Sequence, residues 1–199
     1  LMIRRPPRST HCISSAASDV YKRHVVVTPM ANLGMRNAFS DLGVPLHEVP
    51  VGDRNILEAL ETNNWVLGGE QSGHIIFRDL STTGDGVLTS VQTLLALLRK
   101  QKFPIDASTV FSKVPQVLIN VFVENNPKKI VEEVTDEVNV ASMELGNGGR
   151  VLVRPSGTES LVRVMVETLN SDLASDVAEH LSNIIKRKDR LLSAAANNT

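Results

Sequence analysis

Residues 151–167 read Val-Leu-Val-Arg-Pro-Ser-Gly-Thr-Glu-Ser-Leu-Val-Arg-Val-Met-Val-Glu and decide how the second half of the chain folds. Two apolar runs rich in β-branched residues flank the polar segment 155–158. Runs of this kind favour β-strands, and Pro, Ser and Gly favour the turn between them. The stretch therefore predicts a strand, a tight polar turn and a second strand.

The same stretch carries candidate phosphate ligands. Arg154 ends the first apolar run, and Arg163 lies within the second. Ser156 and Thr158 add hydroxyls, while Gly157 lets the turn backbone approach a ligand closely. A concave group of such donors suits a phosphate dianion, two of whose oxygens an arginine binds at once. The alternative is an ordinary hairpin turn with two exposed arginines, and composition alone leaves both interpretations open.

A second polar loop, residues 68–74, reads Gly-Gly-Glu-Gln-Ser-Gly-His and follows the apolar stretch 65–67. Glu70, Ser72 and His74 supply a carboxylate, a hydroxyl and an imidazole. These groups bind sugar hydroxyls through paired donor and acceptor bonds. Because another apolar run follows, His74 could instead be a hydrogen-bonded histidine at a strand edge. The two neighbouring polar groups favour the sugar-binding interpretation.

The first half of the chain alternates short apolar runs with amphipathic segments. This alternation predicts an α/β domain with a mostly parallel sheet, whose ligands lie at the carboxyl ends of strands. The domain is expected to be a partial three-layer α/β domain spanning residues 24–100. Its predicted strands are 25–27, 44–49, 65–67 and 75–77, and its predicted helices are 32–42, 53–60 and 87–99.

A polar connector, residues 101–115, leads to a second predicted domain at 116–188. Asn126 and Pro127 are typical of a helix start, and Asn170 or Ser171 can cap a final helix. The order strand, helix, strand, strand, helix predicts a small α+β domain with an antiparallel sheet. Two terminal segments, 1–23 and 189–199, complete the predicted organisation.

Those terminal segments lack the pattern of a packed core. Residues 1–23 are basic and Pro-rich, which predicts a non-native or disordered extension, with a transit peptide as the alternative. We expect 189–199 to be a disordered tail.

Composition limits the class of protein. The 199-residue chain has a net charge of −1, which gives no electrostatic argument for nucleic acid binding. No apolar stretch approaches the roughly 20 residues that span a bilayer, so no membrane partner is expected. A single cysteine, Cys12, excludes an internal disulfide and suits a reducing compartment. These features predict a soluble cytoplasmic protein.

Four motifs in the right order resemble those of the phosphoglucosamine mutases in the alpha-D-phosphohexomutase superfamily. The resemblance covers residues 24–188. Its motifs are Val51-Gly52-Asp53-Arg54, Gly69-Glu70-Gln71-Ser72-Gly73-His74, Thr82-Thr83-Gly84-Asp85-Gly86 and Arg154-Pro155-Ser156-Gly157-Thr158-Glu159.

The resemblance implies a role for each loop. The first loop would hold the sugar, with His74 either orienting the substrate or transferring a proton. One departure is Ser160, where the family usually has a proline that would stiffen the exit from the turn. The implied sugar ligands are Glu70, Ser72 and His74, and the implied phosphate ligands are Arg154, Ser156, Gly157, Thr158 and Arg163.

The resemblance also implies an activity. Such enzymes interconvert glucosamine 6-phosphate and glucosamine 1-phosphate during synthesis of amino-sugar nucleotides and cell-wall precursors. They use a phosphoserine, Mg²⁺ and glucosamine or glucose 1,6-bisphosphate as intermediate or primer. The phosphoserine motif and the Asp-Gly-Asp-Gly-Asp metal loop are absent from this sequence, in which Asp85 is expected to be a turn or helix-cap residue.

This sequence is therefore expected to be the C-terminal half of such a mutase, inactive by itself, with no metal ligands of its own and with the N-terminal domains as its partner. A homodimer remains open. Two alternatives are a fragment of a phosphomannomutase or phosphoglucomutase and a non-catalytic sugar-phosphate binding module. Gln71 is the position at which the sugars could be distinguished.

Overall fold

The computed structural model describes residues 24–103, 105 and 110–196, so the prediction for 1–23 lies outside the described residues. The chain divides into two compact units. The first comprises the described residues of Leu1–Ala31 and Phe39–Ser108, and the second those of Asn32–Ala38 and Thr109–Thr199. Within the described ranges, no helix is both long and apolar enough to cross a membrane.

The first unit contains the predicted mostly parallel sheet, in the order β2-β1-β3-β4. Strand β1 pairs in parallel with β2 and β3, and β4 pairs antiparallel to β3. The α/β fold class is confirmed. The strands are β1 Val25–Val27, β2 Leu46–Glu48, β3 Leu67–Gly69 and β4 Ile75–Phe77, and the helices are α2 Asp53–Thr62 and α3 Gly86–Arg99. Helix α1, Leu33–Asp41, begins in the segment assigned to the second unit and ends in the first.

Helix α2 packs closely on this sheet and forms its core. Ile56 and Leu60 are buried against Val26 and Ile76. A Cβ atom at Gly68 would lie 2.5 Å from Cγ2 of Ile56, so a glycine is needed for this close approach of helix and strand.

Two features of the helices differ from simple expectation. Asp53 begins α2 but does not cap it: the N-cap is Gly52, and the Asp53 carboxylate accepts from Arg54 N at 2.8 Å. Helix α3 begins one residue before its predicted start, and its apolar side faces solvent: Val87 is 76% exposed and Leu98 is 71% exposed.

The second unit contains the predicted antiparallel sheet, in the order β5-β7-β6. Alternate residues of β7, Val162, Val164 and Val166, are buried against apolar residues of the final helix. The strands are β5 Gln116–Phe122, β6 Gly149–Pro155 and β7 Leu161–Thr168, and the helices are α4 Pro127–Glu133, α5 Thr135–Leu145 and α6 Ser171–Ala196.

The caps of this unit follow the sequence prediction. The side chain of Asn126 accepts from Lys128 N, and that of Asn170 accepts from the backbone of the first turn of α6. The helix after Asn126 is divided at Val134 into α4 and α5, whereas the sequence indicated one helical face.

The predicted tail 189–199 is wrong for residues 189–196, which continue α6. Asp189 is buried, and its carboxylate accepts hydrogen bonds from Glu124 N at 2.9 Å and Asn125 N at 3.0 Å. Leu192 packs against the core. These contacts stabilise two further helical turns.

A buried carboxylate at the end of β7 gathers several donors. Glu167 is 0% exposed, and its Oε2 accepts from Arg150 Nη2 at 2.8 Å and from Leu33 N at 3.1 Å. Its Oε1 accepts from Asn32 Nδ2 at 2.9 Å. Asn32 also bonds both backbone groups of Val114, so the start of α1 is anchored to this sheet.

Candidate functional site

The carboxylate of Glu70 lies where β3 ends, at the carboxyl edge that the sequence predicted for the first loop. Its Oε1 accepts from Gly52 N at 2.6 Å, and its Oε2 accepts from Ser72 Oγ at 3.1 Å. The backbone of Glu70 also accepts from Gly73 N and donates to His74 O. The carboxylate thus joins the loop after β2 to the loop after β3.

The hydroxyl of Ser72 links this carboxylate to His74. Its oxygen lies 3.0 Å from His74 Nδ1. An ionised carboxylate only accepts, so the single hydroxyl proton of Ser72 points to Glu70. The Ser72 oxygen then accepts from Nδ1–H, so the neutral imidazole compatible with this pair is the tautomer that has its proton on Nδ1 and its lone pair on Nε2. This Nε2 has no hydrogen-bond partner within the described part of the chain.

The loop 82–86 lies against His74. A Cβ atom at Gly84 would lie 3.2 Å from the Cβ of His74, so the loop backbone limits where the imidazole can move. Asp85 is the N-cap of α3, with Oδ1 accepting from Val87 N at 2.8 Å and Leu88 N at 2.9 Å. The prediction that Asp85 caps a helix is confirmed.

In the second unit, Arg154 and Arg163 lie directly opposite each other on β6 and β7. Cross-strand partners project from the same face of a sheet, so two positive side chains share one rung. Arg163 Nε is buried and has no hydrogen-bond partner among the described residues. Burial lowers the pKa of Arg154, and the nearby positive charge of Arg163 lowers it further. Glu159 offers this pair a weak counter-ion, with its Oε2 3.6 Å from Arg163 Nη2.

The turn that joins the two strands has an exposed tip. Ser156 N donates to Leu161 O at 2.9 Å, which closes the turn at the ends of the strands. Gly157 and Thr158 are exposed at its tip, where Thr158 N lies 3.5 Å from Ser156 Oγ. A long contact of this kind leaves the N–H free to bind a ligand.

The predicted site residues thus form two groups. Glu70, Ser72 and His74 are connected in the first unit, and the arginine pair lies beside its turn in the second. Sequence reasoning did not include Gly52, whose N–H holds the carboxylate, or Asn120, which is paired with Arg163 on the other side of β7. Gly52 belongs to a motif already recognised, whereas nothing in the local pattern marks Asn120.

Two family models match consecutive parts of the chain. The alpha/beta/alpha domain III of phosphoglucomutase/phosphomannomutase matches residues 10–115. The C-terminal domain of phosphoglucomutase/phosphomannomutase matches residues 118–184. Together they include both loops described above.

Curated relatives carry a consistent name. The phosphoglucosamine mutase of Thermobifida fusca is 44% identical over 171 residues, which are 85% of this chain and 38% of that protein. The phosphoglucosamine mutase of Clostridium botulinum strain Alaska E43 is 44% identical over 167 residues, covering 82% and 37%. The chain therefore spans less than two fifths of the length of these relatives.

Solved structures support the fold. An Aspergillus fumigatus N-acetylphosphoglucosamine mutase aligns with a TM-score of 0.71 at 18% identity, over 88% of this chain and 42% of that one. An N-acetylglucosamine-phosphate mutase in its substrate complex aligns with a TM-score of 0.68 at 22% identity, over 82% and 38%. The family models cover both loops, and the chain belongs to the phosphoglucomutase/phosphomannomutase family.

Proposed function

We propose that this chain binds the sugar phosphate in the interconversion of glucosamine 6-phosphate and glucosamine 1-phosphate, as one part of a longer phosphoglucosamine mutase. The names of the relatives at about 44% identity support this substrate over glucose or mannose phosphates. The two domains matched are the third and the C-terminal ones, and the remaining length of the relatives would supply the other domains.

One observation carries the phosphate half of the proposal. Arg154 and Arg163 face each other across one rung of the sheet, and a buried Nε of Arg163 is unpaired within the described structure. A phosphate dianion between them would remove their mutual repulsion and accept charge-assisted hydrogen bonds from both. The hydroxyl of Ser156 and the N–H of Thr158 can bind the remaining oxygens.

The first loop would hold the sugar. Glu70 keeps unused lone pairs for substrate hydroxyls because each of its oxygens accepts one hydrogen bond within the chain. His74 presents a basic Nε2 and can take a proton from the hydroxyl that becomes phosphorylated. Ser72 has a positioning role, since it fixes the imidazole through Nδ1.

The residues that the structure describes do not fit a Mg²⁺ site. Mg²⁺ prefers several oxygen ligands, and the oxygen Oδ1 of Asp85 is used by two backbone N–H groups. No group of three His, Cys, Asp or Glu within the described ranges is arranged to hold a metal ion. An Aspergillus fumigatus relative was solved with GlcNAc-6P and magnesium, and we infer that the metal and the phosphoryl donor come from other domains of the longer enzyme.

Replacing Arg154 tests the proposal. We predict that Arg154→Ala weakens binding of glucosamine 6-phosphate about ten- to a hundredfold in calorimetric titration, because a charge-assisted bond contributes about 1.5–3 kcal/mol. The melting temperature should hardly change, since the arginine pair repels itself without ligand. Arg187→Ala, an exposed arginine on α6, is the matched control. Normal binding by an early-melting Arg154→Ala protein would make the loop a structural turn.

A further inference from the structure

We propose that Glu159 is a displaceable counter-ion of the phosphate site: its carboxylate neutralises Arg163 while the site is empty and leaves when phosphate binds. The proposal rests on the phosphate role of this loop argued above. It assigns to Glu159 a positioning role that sets how tightly phosphate is held.

The proposal rests on an ion pair between Glu159 and Arg163, the cross-strand partner of Arg154. Arg163 Nη2 lies 3.6 Å from Glu159 Oε2, with the two side chains 32% and 55% exposed. Arg154 is the cross-strand partner of the same arginine. The carboxylate is therefore the anion that the empty site offers to a pair of cations.

The ion pair between Glu159 and Arg163 is weak enough to be broken by a competing anion. Its 3.6 Å separation exceeds the length of a hydrogen bond, and exposed ion pairs of this kind are weak. A phosphate dianion can bind both arginines, whereas the carboxylate contacts one. The bound phosphate would also repel the Glu159 carboxylate, because two negative charges a few ångströms apart repel each other.

The backbone around Glu159 stays anchored during such an exchange. Its carbonyl accepts from Leu161 N at 2.9 Å, and the carbonyl of Ser160 accepts from Val123 N at 3.1 Å. Only the exposed side chain has to rotate, so displacement needs no rearrangement of the turn. The expected consequence is that Glu159 competes with phosphate and lowers its affinity.

Titration with inorganic phosphate, followed by ³¹P NMR on the 199-residue chain, tests this competition. We expect Glu159→Gln to bind phosphate about two- to fivefold more tightly, the range that loss of a weak exposed ion pair allows. Glu179→Gln makes the same charge change on α6, which packs against the opposite face of the sheet, and should leave affinity unchanged. In an Arg163→Ala background, Glu159→Gln should produce no tightening.

Glu159→Asp separates charge from reach, because the shorter carboxylate keeps its charge but moves away from Arg163; its affinity should lie between those of the wild type and the Gln variant. Suppose that the wild type binds phosphate and Arg154→Ala does not. Unchanged or weaker phosphate binding by Glu159→Gln would then overturn this inference alone. Failure of the wild type to bind phosphate, with no effect of Arg154→Ala, would overturn the proposed function together with it.

Discussion

Replacing the buried Glu167 by glutamine tests what holds the second unit together. The change keeps the shape of the side chain but replaces one oxygen with an NH₂ group and removes the negative charge. In the native network Oε2 accepts from Leu33 N and from two nitrogens of Arg150, while Oε1 accepts from Asn32 Nδ2. If the glutamine keeps its oxygen in the Oε2 position, its NH₂ group faces a donor.

Asn32 cannot resolve this clash by rotating its amide. Its Oδ1 already accepts from Gly34 N and Val114 N, each at 3.0 Å, so a rotated amide would lose both bonds. Breaking a fully buried ion pair costs about 3–5 kcal/mol. Arg150 is partly exposed and water relieves some of this cost, so we predict a loss of about 2–4 kcal/mol.

Urea unfolding, combined with hydrogen exchange of the β7 amides, measures this loss. Exchange of β7 should accelerate, and that of β1 in the first unit serves as the internal reference. Glu137→Gln is the matched control, because Glu137 pairs with Lys188 at 3.7 Å across partly exposed side chains and should cost less than about 1 kcal/mol. An unchanged unfolding midpoint for Glu167→Gln would show that the hydrogen bonds of Glu167 do not stabilise the second unit.

Two further predictions concern stability. Desolvation raises the pKa of Asp189, but hydrogen bonds from Glu124 N and from Asn125 outweigh it, so the net pKa is lowered. Its contribution should be complete above the pKa of an unfolded aspartate, near 3.9, and be lost as pH falls through the lowered folded value. Asp189→Asn should therefore cost about 1–3 kcal/mol at pH 7, and its difference from the wild type in urea titrations should shrink in acid; a pH-independent difference would contradict this. Gly34→Ala would place a Cβ 2.0 Å from Ser112 O and should lower stability by about 1–3 kcal/mol or more in thermal melts, whereas Gly86→Ala, with open space around it, should be neutral or stabilising.

The sequence predicted the elements around both loops because their signals are local. Apolar runs separated by Pro155, Ser156 and Gly157 indicate a hairpin whatever surrounds them, and Asn126 and Asn170 marked the helix starts. The pairing of Arg154 with Arg163 depends on the hairpin register, which follows from the turn only once its geometry is known.

Interactions between distant residues could not be predicted in this way. Asn32 and Glu167 are 135 positions apart, and a carboxylate after an apolar run looks like the solvated end of a strand. The continuation of α6 depends similarly on Asp189 meeting Glu124 and Asn125, which no periodicity encodes. The apolar pattern of the sequence also predicts an apolar side of α3, but it does not show which residues cover that side.

The most direct test of sugar-phosphate binding is a ¹⁵N NMR titration of the chain with glucosamine 6-phosphate, with Arg154→Ala as control. We predict that the amide signals of Gly157 and Thr158 and the Nε signal of Arg163 shift in the wild type, together with signals of the Glu70–His74 loop. Arg154→Ala should remove the shifts in the turn at the same ligand concentration. Shifts confined to other residues, or shifts of the turn that persist in Arg154→Ala, would contradict sugar-phosphate binding at these two loops.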